Sequence, residues 1–377
     1  MDLSFEQGPI RPPSEAASLL LRLTRNCPWN KCGFCRTYKG EKFSRRTVDE
    51  IKKDIDTVTK ICRSVQDFSR ARGFGGAVNR EVLAHIYGSG QFQLFHVAAW
   101  LYHGAKTVFF QDANSLIMKT ADLLEILKYL KERLPSVERV TSYARSDTLL
   151  RKSVDELAEL GRAGLSRIHV GMESGSDEVL KFIDKGVTAQ QHIDAGRRVK
   201  EAGISLSEYV ILGLGGKRWA QEHPLETARV LNAINPDFIR LRTLAVIKGT
   251  PLSQKVLNGE FEEESEEDVV RGERLMIEHL DGIQSSLFSD HSRNLLEEVN
   301  GSLPGDKPAM LATIDRFLAL PDGEKQNFIL GKRWGMYRRL DDMLDQSRYS
   351  EVREAVDRLK KEGKLGDTIS FLKGQLM

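Results

Sequence analysis

Cysteine is scarce in this chain. Four in 377 residues are too few to staple a fold of that size with disulfides. Proline is also sparse, at 11, and with 31 glycines this excludes a collagen-like or low-complexity chain. Charge of one sign is not in excess: 56 Lys and Arg face 54 Asp and Glu, a net of +2. A near-neutral chain is no strong polyelectrolyte, so any nucleic-acid surface must be local. No run approaches the roughly 18 apolar residues of a spanning helix. The N-terminus, MDLSFEQGPIRPPSEAASLLLRL, has no basic segment leading into an apolar core, so it does not read as a signal peptide. The expectation is a soluble cytoplasmic protein. Thiols there stay reduced, which favours metal binding or catalysis over disulfides.

What the chain does have is rhythm. Short apolar runs alternate with amphipathic helical patterns from about residue 18 to about 246. Strands are expected at 18–23, 106–110, 137–142, 166–171, 204–212 and 237–246. Capping boxes open helices at Thr47/Glu50, Ser153/Glu156 and Thr188/Gln191. Leu123, Leu127, Leu130 and Leu134 mark one helix face, ended by Pro135. His223, with Pro224 at the first helical position, is expected to start another helix. Strands alternating with helices imply a parallel α/β sheet with right-handed crossovers. Six units in about 230 residues suggest a partial (β/α)6 TIM-like barrel, and the pattern alone leaves a doubly wound sheet open.

Two stretches break the rhythm. Residues 62–104 read as a helical insert, and residues 251–377 as an α-helical C-terminal extension without strands. The expected division is therefore a core at 1–250 and a helical region at 251–377. The run EEESEED at 262–268 reads as a solvated helix face or linker.

Three cysteines, Cys27, Cys32 and Cys35, follow the first strand with the spacing C-x4-C-x2-C. A structural zinc site takes four protein ligands, and the local count is three. Three thiolates on a [4Fe–4S] cube leave one iron with no protein ligand, open to a substrate or cofactor. Zinc, with Cys62 or a histidine as fourth ligand, remains an alternative. Cys62 itself reads as a small buried residue on a helix.

The strand, the cysteine loop and the ending Cys32-Gly33-Phe34-Cys35 resemble the radical S-adenosylmethionine (radical SAM) superfamily, whose familiar spacing is C-x3-C-x2-C. The extra residue here calls for a wider turn, for which Pro28 and Asn30 are suited. Gly171-Met172-Glu173-Ser174-Gly175-Ser176 is similar to the GxESGS segment of the branch with the methylthiotransferases, the Elp proteins and the oxygen-independent coproporphyrinogen oxidases.

The resemblance implies that Cys27, Cys32 and Cys35 hold a [4Fe–4S] cluster and that SAM chelates its open iron. Reductive cleavage of SAM then gives a 5′-deoxyadenosyl radical that abstracts hydrogen from a substrate. It implies SAM contacts from Gln111, Asp112 and Asn114 after the second strand, and from Tyr143 and Arg145 after the third. Glu173 and Ser174 follow the fourth strand, with Lys185 twelve residues after Glu173. Leu212 lies at the end of the fifth strand, before Gly213-Leu214-Gly215-Gly216, and Phe34 is a wall for the adenine. An electron donor such as flavodoxin or ferredoxin is implied, and the substrate is left unnamed. The tail at 289–307 is similar to that of an uncharacterised branch and points to no reaction.

Two other readings stay open: a non-catalytic zinc or iron–sulfur scaffold, and a radical SAM enzyme acting on RNA. For RNA, Arg197, Arg198 and Lys200, and Lys332, Arg333, Arg338 and Arg339, are small basic clusters. The +2 balance argues against a large footprint. His291 is a candidate acid or base, or a capping histidine.

Overall fold

The structure is a computed structural model that describes residues 3–375. Its strands are β1 (Leu19–Arg22), β2 (Thr24–Arg25), β3 (Ser44–Arg45), β4 (Thr107–Gln111), β5 (Arg139–Ala144), β6 (Leu165–Glu173), β7 (Ser205–Leu212), β8 (Phe238–Thr243), β9 (Ser286–Phe288) and β10 (Asn300–Ser302). All six expected strands are present. The main sheet runs β1-β4-β5-β6-β7-β8-β9-β10, and β2 and β3 form a separate antiparallel pair. The order follows the sequence without reversal. A doubly wound sheet reverses its order at a switch point, so the strand order is that of a barrel sheet.

The chain forms two compact units, residues 1–30, 37–170 and 198–206, and residues 31–36, 171–197 and 207–377. In the first, β1, β4, β5 and β6 pair in parallel. The helix Val48–Ala71 opens at the expected Thr47/Glu50 capping box and buries Ile51, Ile55, Val58, Ile61 and Val65 along one stripe. It runs through residue 62, so the helical insert does not begin there. Two further helices follow, Arg80–Gly88 and Phe92–Tyr102. Cys62 is buried on the first helix, as expected, and burial pushes its thiol up to about 12.

In the second unit, β7, β8 and β9 pair in parallel and β10 returns antiparallel. The expectation of a strand-free region after 250 is therefore corrected. β9 and β10 have three residues each, too few for a period of two to stand out from their surroundings. The helix after β7 runs Glu222–Ile234, which puts Pro224 at its third position and His223 inside it, not at its start. The acidic run is not a solvated face throughout. Ser265 caps the helix Glu266–Glu278, Glu264 is buried, and Glu266 is held by Arg333 and Lys373. Lys332 and Arg333 are buried in turn, bonded to Glu297 and Glu266. No helix among the described residues is long and apolar enough to cross a membrane.

Candidate cluster loop and cofactor site

The loop after β1 is tied down at its base. β2 and β3 pair Thr24 with Arg45 and Arg25 with Ser44, clamping the chain on either side of the cysteines. Asn26 and Asn30 take φ of 68° and 48°, the left-handed region that asparagine tolerates better than most residues. Asn26 Nδ2 donates to the Lys42 carbonyl at 2.7 Å, and Asn30 Nδ2 donates to the Tyr38 carbonyl. The Asn30 N–H points at Cys27 Sγ, 3.4 Å away. In the second unit, the Cys35 N–H donates to the Cys32 carbonyl. There the Gly33 N–H donates to the Ile183 carbonyl at 2.7 Å, while its own carbonyl accepts from the Leu252 N–H. Phe34 packs on a cluster of Val179, Ile183, Ile211, Leu214 and Trp219.

All four cysteines are thiols outside any disulfide; Cys32 and Cys62 are buried, and Cys27 and Cys35 are half-buried. Among the described residues, no three His, Cys, Asp or Glu side chains converge to hold a single metal ion. Thiolates on separate corners of a cube stand farther apart than the ligands of one ion. Three thiols on a nine-residue span, with the Asn30 N–H turned toward Cys27 Sγ, have the donor chemistry of an iron–sulfur ligand set.

Asp112, fully buried after β4, is the anchor of this loop. Its Oδ2 accepts from Arg22 Nε at 2.9 Å and from the Asn26 N–H at 3.1 Å, and its Oδ1 accepts from the Tyr38 hydroxyl at 2.7 Å. Asn26 precedes the first cysteine and Tyr38 follows the last, so one carboxylate holds both ends. The charge-assisted bonds are of the stronger kind. Burial and then the Asp112 charge raise the Tyr38 pKa above the phenol range, so the hydroxyl stays a donor.

The neighbours of Asp112 are also engaged. The Gln111 amide clasps the N-terminal segment, donating to the Gly8 and Ile10 carbonyls and accepting from the Gly8 N–H. Asn114 donates to Thr148 Oγ1 and accepts the Arg145 N–H. Arg145 bonds Asp147 and lies over the Trp29 ring, 5.2 Å from its centre. Tyr143 packs edge-on against Phe109 and His169.

In the second unit, the structure brings Glu173 and Lys185 together. Glu173 sits at φ 65°, and its Oε1 accepts from Lys185 Nζ at 2.8 Å. Gly171 makes room for the pair: a Cβ there would lie 2.3 Å from Glu173 Oε1 and 3.1 Å from Lys185 Nζ. Both charges act on Glu208, whose carboxyl is pushed well up by burial, with Lys185 opposing and Glu173 adding. Ser174 is not exposed for a ligand. Its hydroxyl donates to His223 Nδ1 at 2.8 Å, and His223 Nε2 donates to the Ile211 carbonyl at 3.0 Å. Burial drives His223 down to about 4, so it is neutral. The Leu212 carbonyl accepts from the Leu244 N–H.

His291 also stays neutral. Burial and then Arg242 and Arg293 lower it to about 4, and its Nδ1 accepts the Arg293 N–H. That is the role of a satisfied polar residue closing a turn. The residues that sequence reasoning passed over are Arg22, Tyr38 and His223. The first two lie 90 and 74 positions from the aspartate they bind, and no spacing rule reaches that far.

Comparison with known proteins bears on this arrangement. Residues 93–231 match the model of the radical SAM superfamily, a span that begins after the cysteine loop. An uncharacterised protein of Methanocaldococcus jannaschii is 29% identical over 36% of this chain and 42% of its own length. A tRNA uridine(34) acetyltransferase of Methanocaldococcus infernus is 25% identical over 33% of this chain and 23% of its own. A tRNA-2-methylthio-N(6)-dimethylallyladenosine synthase of Hahella chejuensis is 24% identical over 80% of this chain and 59% of its own. In each case the match spans less than two-thirds of the relative. Over residues 93–231 the chain is therefore similar to the radical SAM superfamily, whose members are enzymes that use a [4Fe–4S] cluster and S-adenosyl-L-methionine.

Proposed function

We propose that this chain is a radical SAM enzyme in which Cys27, Cys32 and Cys35 hold the cluster and residues 1–250 form the catalytic core. The observation that carries this is the loop anchored at both ends by Asp112. When bound, the cluster and SAM supply reductive cleavage of a sulfonium C–S bond and a carbon radical that takes hydrogen from a substrate. The chain's own residues orient and exclude. The β2–β3 clamp and Asp112 set the path of the loop. Glu173 is suited to accept hydrogen bonds from ribose hydroxyls, with Lys185 fixing its carboxylate. Phe34 offers an apolar wall to the adenine. Arg145 with Trp29 lies in the same unit as Cys27.

Gln111, Asp112, Asn114 and Ser174 serve as positioning residues in this reading, since their polar atoms are already engaged. Tyr143 and Leu212 remain contacts for SAM. An electron donor such as flavodoxin or ferredoxin, in the cytoplasm, fits the chemistry. The region at 251–377 shapes access to the substrate. Of the residues an RNA footprint would draw on, Lys332 and Arg333 are buried, while Arg197, Arg338 and Arg339 are exposed. A radical SAM enzyme acting on RNA is the second reading, supported by the tRNA-modifying relatives.

Anaerobic reconstitution with iron and sulfide, then dithionite and SAM, tests the proposal. The expected products are 5′-deoxyadenosine and methionine, with iron lost in Cys32→Ala. No 5′-deoxyadenosine, with wild-type iron content in Cys32→Ala, overturns it.

A further inference from the structure

Two arginines, Arg240 and Arg242, lie two residues apart on β8, so they face the same side of the sheet. Arg240 stands over the Phe288 ring at 4.9 Å and Arg242 over the Tyr209 ring at 5.0 Å. Aromatic faces fix the planes of both guanidinium groups. They share one carboxylate: Asp290 accepts from Arg240 Nη1 at 3.2 Å and approaches Arg242 Nη1 at 3.5 Å. Two cations against one anion leave a net positive charge.

The hydrogen-bond count is also short. Arg240 is 5% exposed, and its Nε is buried with no partner; Arg242 Nη2 is likewise buried without one. A buried, unsatisfied donor on a cation is costly, and such groups persist where something outside the protein completes them. His291 beside them is neutral, so it adds no competing charge. Strands β7 and β8 run in parallel, and ligands of parallel α/β sheets gather at the C-terminal ends of strands. Arg242 is one residue from the end of β8.

We propose that Arg240 and Arg242 form a subsite for an anionic group of the substrate, a carboxylate or a phosphate, taken in the planar bidentate fashion that guanidinium favours. That the anion belongs to a substrate rests on the radical SAM reading, while the anion site itself does not. A planar oxyanion would complete the open donors and balance the extra charge. Asp290, which is more exposed, bridges the two guanidinium groups and fixes their spacing.

The test uses the full-length protein at constant ionic strength, titrated with inorganic phosphate in one arm and acetate in the other. Melting temperature and calorimetry are the readouts. A saturable rise in melting temperature is expected with at least one anion, because a ligand of the native state alone stabilises it. The arm with the larger shift tells phosphate from carboxylate. Arg242→Met and Arg240→Gln should each weaken that binding tenfold or more. Arg242→Lys keeps the charge but loses the planar fork, and it too should bind at least several-fold more weakly.

Absence of a saturable shift, or undiminished affinity in Arg242→Lys and Arg240→Gln, overturns the proposal. So does a loss of SAM affinity in Arg242→Met that leaves anion binding intact, since the site would then belong to the cofactor. 5′-Deoxyadenosine formation by the wild-type protein is measured alongside. Its absence, with anion binding retained, sinks the radical SAM reading and leaves this site standing.

Discussion

The Tyr38 hydroxyl donates to Asp112 Oδ1 across 74 residues of sequence, at 2.7 Å, with both side chains buried. Through it the exit of the cysteine loop is bolted to the end of β4. Asp112→Ala leaves Arg22 without its main partner, a loss of about 3–5 kcal/mol. Tyr38→Phe removes one hydrogen bond to a charged group and should cost about 1.5–3 kcal/mol. Urea unfolding measures both. In Asp112→Ala, iron retained after reconstitution should fall as well. A variant as stable as the wild type would refute the anchor.

Cys62 should behave as a bystander. Its thiol is buried and held up to about 12, so thiolate is negligible at pH 8. Iodoacetamide should leave Cys62 unlabelled in the folded apoprotein, and Cys62→Ala should reconstitute with full iron. Loss of iron in Cys62→Ala would revive a four-cysteine site.

Stability should depend on pH through two opposed groups. His223 is depressed to about 4, below the ordinary histidine value of 6.5. The unfolded chain therefore binds the proton first. Its contribution is present above pH 6.5 and is lost as pH falls toward 4, on the order of 3 kcal/mol. Glu273 is raised to about 8 by burial, from 4.5. Its contribution is present below pH 4.5 and is lost as pH rises through 8. Glu273→Gln should therefore gain on the wild type at pH 8.5 and match it near pH 4.5. Urea midpoints across that range decide it, and curves that stay parallel would contradict the assignment.

Gly171→Ala should displace the Glu173–Lys185 pair, because a Cβ at 2.3 Å from Glu173 Oε1 cannot be accommodated in place. With the carboxylate moved, SAM affinity should drop about tenfold, the value of roughly 1.4 kcal/mol, with iron content intact. Lys185→Met should show the same pattern. Equilibrium dialysis of SAM against the reconstituted variants reads this, and unchanged affinity in both would remove Glu173 from the cofactor site.

Much of the frame was legible from the residues. The runs LLLR, TVFFQ and SEYVIL are apolar enough to announce strands, and the Thr47/Glu50 and Ser153/Glu156 boxes set helix starts. β9 escaped because three residues, SLF, carry no period. EEESEED misled because Glu266 finds Arg333, 67 positions away, and charge runs look the same whether solvated or paired. At the site, cysteine spacing and the GMESGS segment were visible because they are local. The roles of Asp112, Tyr38 and His223 depend on partners that only the fold brings near. His223 read as a helix start because Pro follows it, whereas its ring links two strand ends from inside the helix.

The clamp formed by β2, β3 and Asp112 has a bearing on repair. Its bonds run between protein groups alone, so they hold the loop's entry and exit without calling on a ligand. If the loop holds the proposed cluster, oxygen that strips it would injure a cofactor and spare the scaffold. Damage of that kind is mended by refilling with iron and sulfide, with no need to unfold and replace the chain.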